Sequence, residues 1–141
     1  MAPKVKLRVG DIAIAGVMEH ERSPQSCALF LEKLPYYGDL LHVRWSGEGV
    51  YMPFREPGLS ELDQRGERRI HHPTPGEVIL YPGPESPGEV LISYGGVAFA
   101  SAYGSLAGAH IITLECDREV LEELGRRALW DGAQKVGFEL M

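Results

Sequence analysis

Apolar and polar positions alternate with a period of two over much of the chain, the spacing of strands with one buried face. Val5, Leu7 and Val9 alternate with Lys4, Lys6 and Arg8, and after a break at Gly10-Asp11 the run Ile12–Met18 resumes, predicting an opening hairpin. Ser23 then precedes Pro24, a capping residue before a proline at the first helical position. With Cys27, Phe30, Leu31 and Leu34 on one face and Pro35 as a stop, the spacing predicts a helix of about three turns. Leu40–Trp45 is predicted as the next strand. Its alternation sends Leu41, Val43 and Trp45 to the core and turns Leu40, His42, Arg44 and Ser46 outward or into a cleft. A turn at Ser46–Gly49 leads into a strand that buries Val50, Met52 and Phe54 and leaves Tyr51 on the face of Arg44.

From Arg55 to Pro75 no periodicity is sustained, as expected of a solvated loop or flap over one side of the domain. Val78–Tyr81 is apolar throughout, the mark of a strand covered on both faces. The prolines and glycines of Pro82–Gly88 make a constrained turn, and Val90–Tyr94 follows as a second buried strand. Residues 97–109 are rich in Gly, Ala and Ser and carry Phe99 and Tyr103; His110–Glu115 is a further strand. Asp117 opens a second helix with Glu119 in its first turn, a stripe of Val120, Leu121, Leu124 and Ala128, and Arg126 and Arg127 near its end. Asp131-Gly132 ends it, and Val136–Leu140 closes as a strand. No repeat or linker interrupts residues 1–141, so a single domain is expected. About eight strands and two helices with antiparallel connections predict a mainly β fold, a closed or nearly closed barrel.

Composition supports this reading. The 17 glycines and 10 prolines among 141 residues are well above the usual share and favour short strands joined by turns over a helical bundle. Fourteen basic against 20 acidic residues give a net charge of −6, with the basic residues scattered, which argues against a nucleic-acid partner. The chain starts without the apolar stretch of a leader and contains no run long enough for a membrane span, so a soluble, cytoplasmic protein with no membrane partner is expected. Cys27 and Cys116 lack metal-ligand spacing and are expected to be small buried hydrophobes. His71 and His72 are adjacent, so on an extended strand their rings would diverge, and no metal site is expected. Gly95-Gly96 and the later glycines are not followed by the Lys-Ser/Thr of a phosphate loop, and no nucleophile motif is present. No cofactor is predicted.

The order of elements, the Ser23-Pro24 helix start, the Gly38–Arg44 strand and the turn from Gly83 to Gly88 resemble cyclophilins. A closer resemblance is to a bacterial family of domains of unknown function with a cyclophilin-like fold. It rests on His42-Val43-Arg44-Trp45-Ser46-Gly47-Glu48, on Pro75-Gly76-Glu77 with Tyr81-Pro82-Gly83, and on Tyr94-Gly95. The resemblance implies a cyclophilin-like barrel and, if the chemistry were shared, prolyl isomerisation with Arg44 stabilising the twisted amide. The glutamine of cyclophilins has no counterpart at Met52-Pro53-Phe54, and Val90-Leu91-Ile92 stands where their aromatic cup begins. Those departures argue against isomerase activity.

What remains is a candidate ligand site of Arg44 flanked by His42, Ser46 and Tyr51, with Tyr81, Tyr94 and Phe99 nearby. A guanidinium offers a rigid fork of donors that matches a carboxylate or phosphate. With aromatic walls it suits a small anionic metabolite or a peptide. Two alternatives stay open: an enzyme using the same cleft, with His42 as acid/base or as a residual prolyl isomerase, and a structural assembly module. For Arg44 the competing reading is an ion pair with Glu48 or another acid; for Tyr81, Tyr94 and Phe99 it is a place in the core. Homo-oligomerisation through exposed strands is also open.

Overall fold

The computed structural model describes residues 3–141; Met1 and Ala2, part of the stretch on which the absence of a leader was read, lie outside the described residues. Eleven strands and two α-helices follow in the order β1 (Lys4–Val9), β2 (Ile12–Met18), α1 (Pro24–Glu32), β3 (Tyr36–His42), β4 (Gly47–Pro53), β5 (Arg69–Ile70), β6 (Glu77–Tyr81), β7 (Glu89–Val97), β8 (Ala100–Ser101), β9 (Gly104–Ser105), β10 (Gly108–Glu115), α2 (Arg118–Trp130) and β11 (Gln134–Leu140). The sheet runs β2-β1-β11-β3-β4-β7-β6-β10, and β10 pairs back onto β2, so eight antiparallel strands close a barrel. The short β5 adds to the free end of β10, and β8 with β9 forms a separate hairpin. No helix among the described residues is long and apolar enough to cross a membrane.

Closure follows from the alternation. Val5, Leu7 and Val9 of β1, Val50 and Met52 of β4, Val78 and Leu80 of β6, Val90 and Ile92 of β7, and Val136 and Phe138 of β11 fill the interior. The helices close the two ends. From α1, Cys27 and Phe30 enter the core, and Phe30 packs on Phe54 and Phe138 at centroid distances of 5.6 and 5.2 Å. At the other end, Leu121, Leu124 and Ala128 of α2 enter the same cluster, with Tyr94 packed against it. A second apolar cluster lies outside the barrel wall: Ile79, Tyr81, Leu91, Val97, Phe99 and Leu106, joined by Val43, Tyr51 and Ile70. It is covered by the segment carrying β8 and β9. Strands β6 and β7 are therefore buried on both faces, which explains their unbroken apolar runs.

Several expectations are corrected. Strand β3 starts at Tyr36 and its phase is inverted: Leu40 is buried in the barrel, while Leu41 is half-buried. The Leu40-Leu41 pair is compatible with either phase, and β11 decides between them. Register pairs Phe138 with Tyr36, Val136 with Gly38 and Gln134 with Leu40, and paired residues share a face, so the inward Val136 and Phe138 pull Leu40 inward with them. The strand ends at His42, and Val43–Ser46 bends away, so Trp45 is 59% exposed instead of buried. Cys116 is exposed, and only Cys27 is buried; both thiols are free. Burial pushes the Cys27 thiol up to about 12. His71 and His72 lie on a bend, and their rings meet edge-to-face at 4.3 Å instead of diverging.

The segment 55–75 does more than cover the surface. Its Leu59 enters the core, and its Gln64 donates to Ser26 Oγ and to the Leu80 carbonyl at 3.1 and 2.9 Å. Its Glu67 accepts the backbone N–H groups of Gln25 and Ser26, at 2.6 and 3.1 Å, and the Ser26 hydroxyl. Glu67 therefore supplies the cap of α1, whereas Ser23 makes no side-chain cap bond and its buried hydroxyl is unpartnered. Charge-assisted bonds at a helix N-terminus stabilise more than neutral ones. Glu67→Ala is expected to cost about 1–3 kcal/mol in urea denaturation, and Ser23→Ala almost nothing. A larger loss from Ser23→Ala than from Glu67→Ala would reverse this assignment of the cap.

Candidate functional site

The β8–β9 hairpin is tied down at several points. Ser46 Oγ donates to the Ala100 carbonyl at 3.1 Å and accepts the Ala100 N–H at 3.0 Å, and the Ser46 carbonyl accepts from Ala98 N–H. His71 Nδ1 bonds the Leu106 carbonyl at 2.8 Å and His72 Nδ1 the Val97 carbonyl at 3.2 Å. Because a carbonyl only accepts, both rings carry their proton on Nδ1. Between the tethered hairpin, the bend after β3 and the 86–89 turn lies a groove of about 260 Å³. Arg44, Trp45, Ser46 and Tyr51 line it, together with Arg55, Glu89, Ser101 and Tyr103.

The groove is charged in an unusual way. No carboxylate of the described residues lies within 4.0 Å of the Arg44 or Arg55 guanidinium, so the ion-pair reading of Arg44 with Glu48 does not hold. Glu48 instead accepts the Gly96 N–H at 2.8 Å. Glu89 alternates with the inward Val90, so it stands on the outer face with Leu91. Its cross-strand partners are Pro53 and Tyr81, neither of which carries a charge to pair with it. Burial therefore dominates and raises the Glu89 carboxyl to about 7, with Arg55 pulling the other way too weakly to offset it.

The seven residues picked out from the sequence divide into three places. Arg44, Ser46 and Tyr51 line the groove, although Ser46 spends its hydroxyl on the hairpin. His42 and Tyr94 sit at the α2 end of the barrel, with rings edge-to-face at 5.7 Å. His42 Nδ1 faces the Val43 carbonyl at 2.8 Å and must donate to it, so Nε2 of the neutral ring accepts the Tyr94 hydroxyl at 2.7 Å. Both ring nitrogens are thus engaged away from the groove. Burial, helped by the charge of Glu48, raises the Tyr94 hydroxyl above its ordinary range. Tyr81 and Phe99 are 4% and 1% exposed and pack edge-to-face in the outer cluster. The Tyr81 hydroxyl donates to Glu85 at 2.9 Å; burial and that bond raise its titration.

Arg55, Glu89, Trp45 and Tyr103 were not singled out for this site. Arg55 opens the aperiodic stretch, where a single charge carries no signal. Trp45 was placed inward by the wrong strand phase. Tyr103 is 87% exposed at the tip of a hairpin whose strands are only two residues long. Glu89 did carry a weak signal, since an acid directly joined to Val90-Leu91-Ile92 must share a face with one of them.

Among curated proteins, none matches the sequence. Solved structures do match; one is that of McbB in complex with tryptophan, with a TM-score of 0.76 and 21% identity over 96% of this chain. The match covers 44% of that protein, so this chain spans less than half its length. At such identity the likeness is one of fold. Residues 5–140 match the model of a protein family of unknown function, DUF3830, and the chain belongs to that family.

Proposed function

We propose that the protein binds a small anionic metabolite, or the carboxylate end of a peptide, in the groove beneath the β8–β9 hairpin. The observation that carries this reading is the pair of guanidiniums, Arg44 and Arg55, sharing one concavity without a carboxylate partner. Arg8, Arg65, Arg126 and Arg127 each hold a carboxylate within 2.9 Å. Arg69 and Arg118, like Arg44 and Arg55, hold none within 4.0 Å among the described residues, but of these four Arg44 and Arg55 are the two that line one groove. Two cations lining one groove repel each other, and an incoming anion relieves that repulsion while accepting their fixed donors. Trp45, Tyr51 and Tyr103 supply aromatic surface for the rest of the ligand. McbB was solved with tryptophan, a molecule that combines a carboxylate with an aromatic ring, which fits the same ligand class. We also take the barrel to be of the cyclophilin-like type, on its hairpin–helix–strand order and its closure by eight antiparallel strands, with a binding role in place of isomerisation.

A panel of aromatic and aliphatic carboxylates, screened by thermal shift, tests the reading. A ligand at 100 times its Kd stabilises by about 2.7 kcal/mol, enough to raise Tm by several degrees. Arg44→Ala and Arg55→Ala are each expected to weaken binding about ten- to a hundredfold while leaving the apo protein folded. Carboxylates that shift wild type and both variants equally would place binding elsewhere.

A further inference from the structure

The groove holds an acid as well as two bases. We infer that its ligand is a free α-amino acid with an aromatic side chain, whose carboxylate meets Arg44 and Arg55 and whose ammonium meets Glu89. This rests on the groove being the binding site proposed above and specifies what enters it.

Glu89 lines the groove and lies on the outer face of β7 between Pro53 and Tyr81, and its carboxylate makes no hydrogen bond or ion pair with any described residue. A plain carboxylate ligand satisfies the guanidiniums but leaves Glu89 without a partner and brings a second acid into its groove. A ligand carrying its own ammonium removes that conflict, because one end satisfies the guanidiniums and the other the acid. At about 260 Å³ the cavity lies just under the range of roughly 300–1,000 Å³ typical of drug and cofactor sites, room for a single amino acid. Trp45 and Tyr103 stand exposed at the groove and Tyr51 is half-buried within it, so aromatic surface is available for the side chain of the ligand.

Three compounds of one skeleton separate the charges: L-tryptophan, 3-indolepropionate without the ammonium, and tryptamine without the carboxylate. By titration calorimetry on the full chain near neutral pH, L-tryptophan is expected to bind about tenfold or more tighter than either. Glu89→Gln should erase its advantage over 3-indolepropionate and leave 3-indolepropionate unchanged or tighter. Arg44→Ala should erase its advantage over tryptamine. Circular dichroism establishes that both variants are folded. Equal affinity of the wild type for L-tryptophan and 3-indolepropionate, or an unchanged L-tryptophan affinity in Glu89→Gln, overturns the amino-acid assignment and leaves the carboxylate reading standing. Tryptamine binding as tightly as both carboxylates, or no binding of any of the three at millimolar concentration, overturns both.

Discussion

Glu89→Gln is expected to raise the stability of the ligand-free protein by about 1–3 kcal/mol at about pH 8 and to change it little at about pH 4. The carboxyl titrates near 7 in the folded chain against 4.5 for a free glutamate, because burial disfavours its charge. A carboxyl with a raised folded pKa holds more protons in the native than in the unfolded state between those values. Stability therefore falls as pH climbs from about 4.5 to about 7, and the loss is complete above that window. The shift corresponds to about 3 kcal/mol, reduced where the groove admits water. The charge that acts on this carboxyl is that of Arg55, from the segment after β4, and it favours ionisation. Glutamine keeps the shape without the charge. Urea denaturation at the two pH values measures the difference, and an equal effect at both would remove Glu89 from the pH dependence. The sign also bears on function: an acid that weakens the empty fold near neutral pH gains its use when a cation is placed beside it.

Where one side of an element faced one core, its pattern was legible. Val5, Leu7 and Val9, Val50 and Met52, and the stripe of Leu121, Leu124 and Ala128 all lie where period two or period 3.6 places them. The apolar runs at Val78–Tyr81 and Val90–Ile92 announced burial on both faces, although nothing in them said that the outer cover would be the Gly-, Ala- and Ser-rich stretch before β10. The misreadings have a common cause. Leu40-Leu41 satisfies either strand phase, and the choice was made by Val136 and Phe138, almost a hundred residues away. The cap of α1 comes from Glu67, some forty residues downstream, while the local Ser23 stands idle. Arg44 was visible as a candidate because a guanidinium in a stretch that alternates like a strand is conspicuous, although β3 ends before it. Arg55 and Glu89 join it only through the β4–β7 pairing and the 86–89 turn, which local spacing does not encode. His42 looked like a partner of Arg44 by alternation, but the strand stops between them, and the histidine turns to Tyr94.

That same histidine–tyrosine pair sets up the other large effect. Gly125→Ala is expected to destabilise by about 1–3 kcal/mol, against the usual gain of about 1 kcal/mol for replacing a mid-helix glycine by alanine. A Cβ built at Gly125 would lie within 2.6 Å of three atoms of the Tyr94 ring. The ring has little room to yield: it packs against the barrel core on one side, and its hydroxyl is held by His42 Nε2 at 2.7 Å. Displacing it forfeits core contact and a partly buried hydrogen bond, worth about 1 kcal/mol on its own, and together these exceed the gain in helix propensity. A double-mutant cycle decides between this account and a general intolerance of α2 to substitution. With Tyr94→Ala already in place the space above Gly125 is empty, so adding Gly125→Ala should now stabilise, by up to about 1 kcal/mol. A reversal of sign between the two backgrounds, read from urea midpoints with unchanged m-values, locates the constraint in the contact between α2 and β7. If alanine at 125 costs the same in both backgrounds, the ring is not the reason for the glycine. That outcome would also weaken the view that α2 holds the Tyr94–His42 pair in place at this end of the barrel, away from the groove on its outer wall.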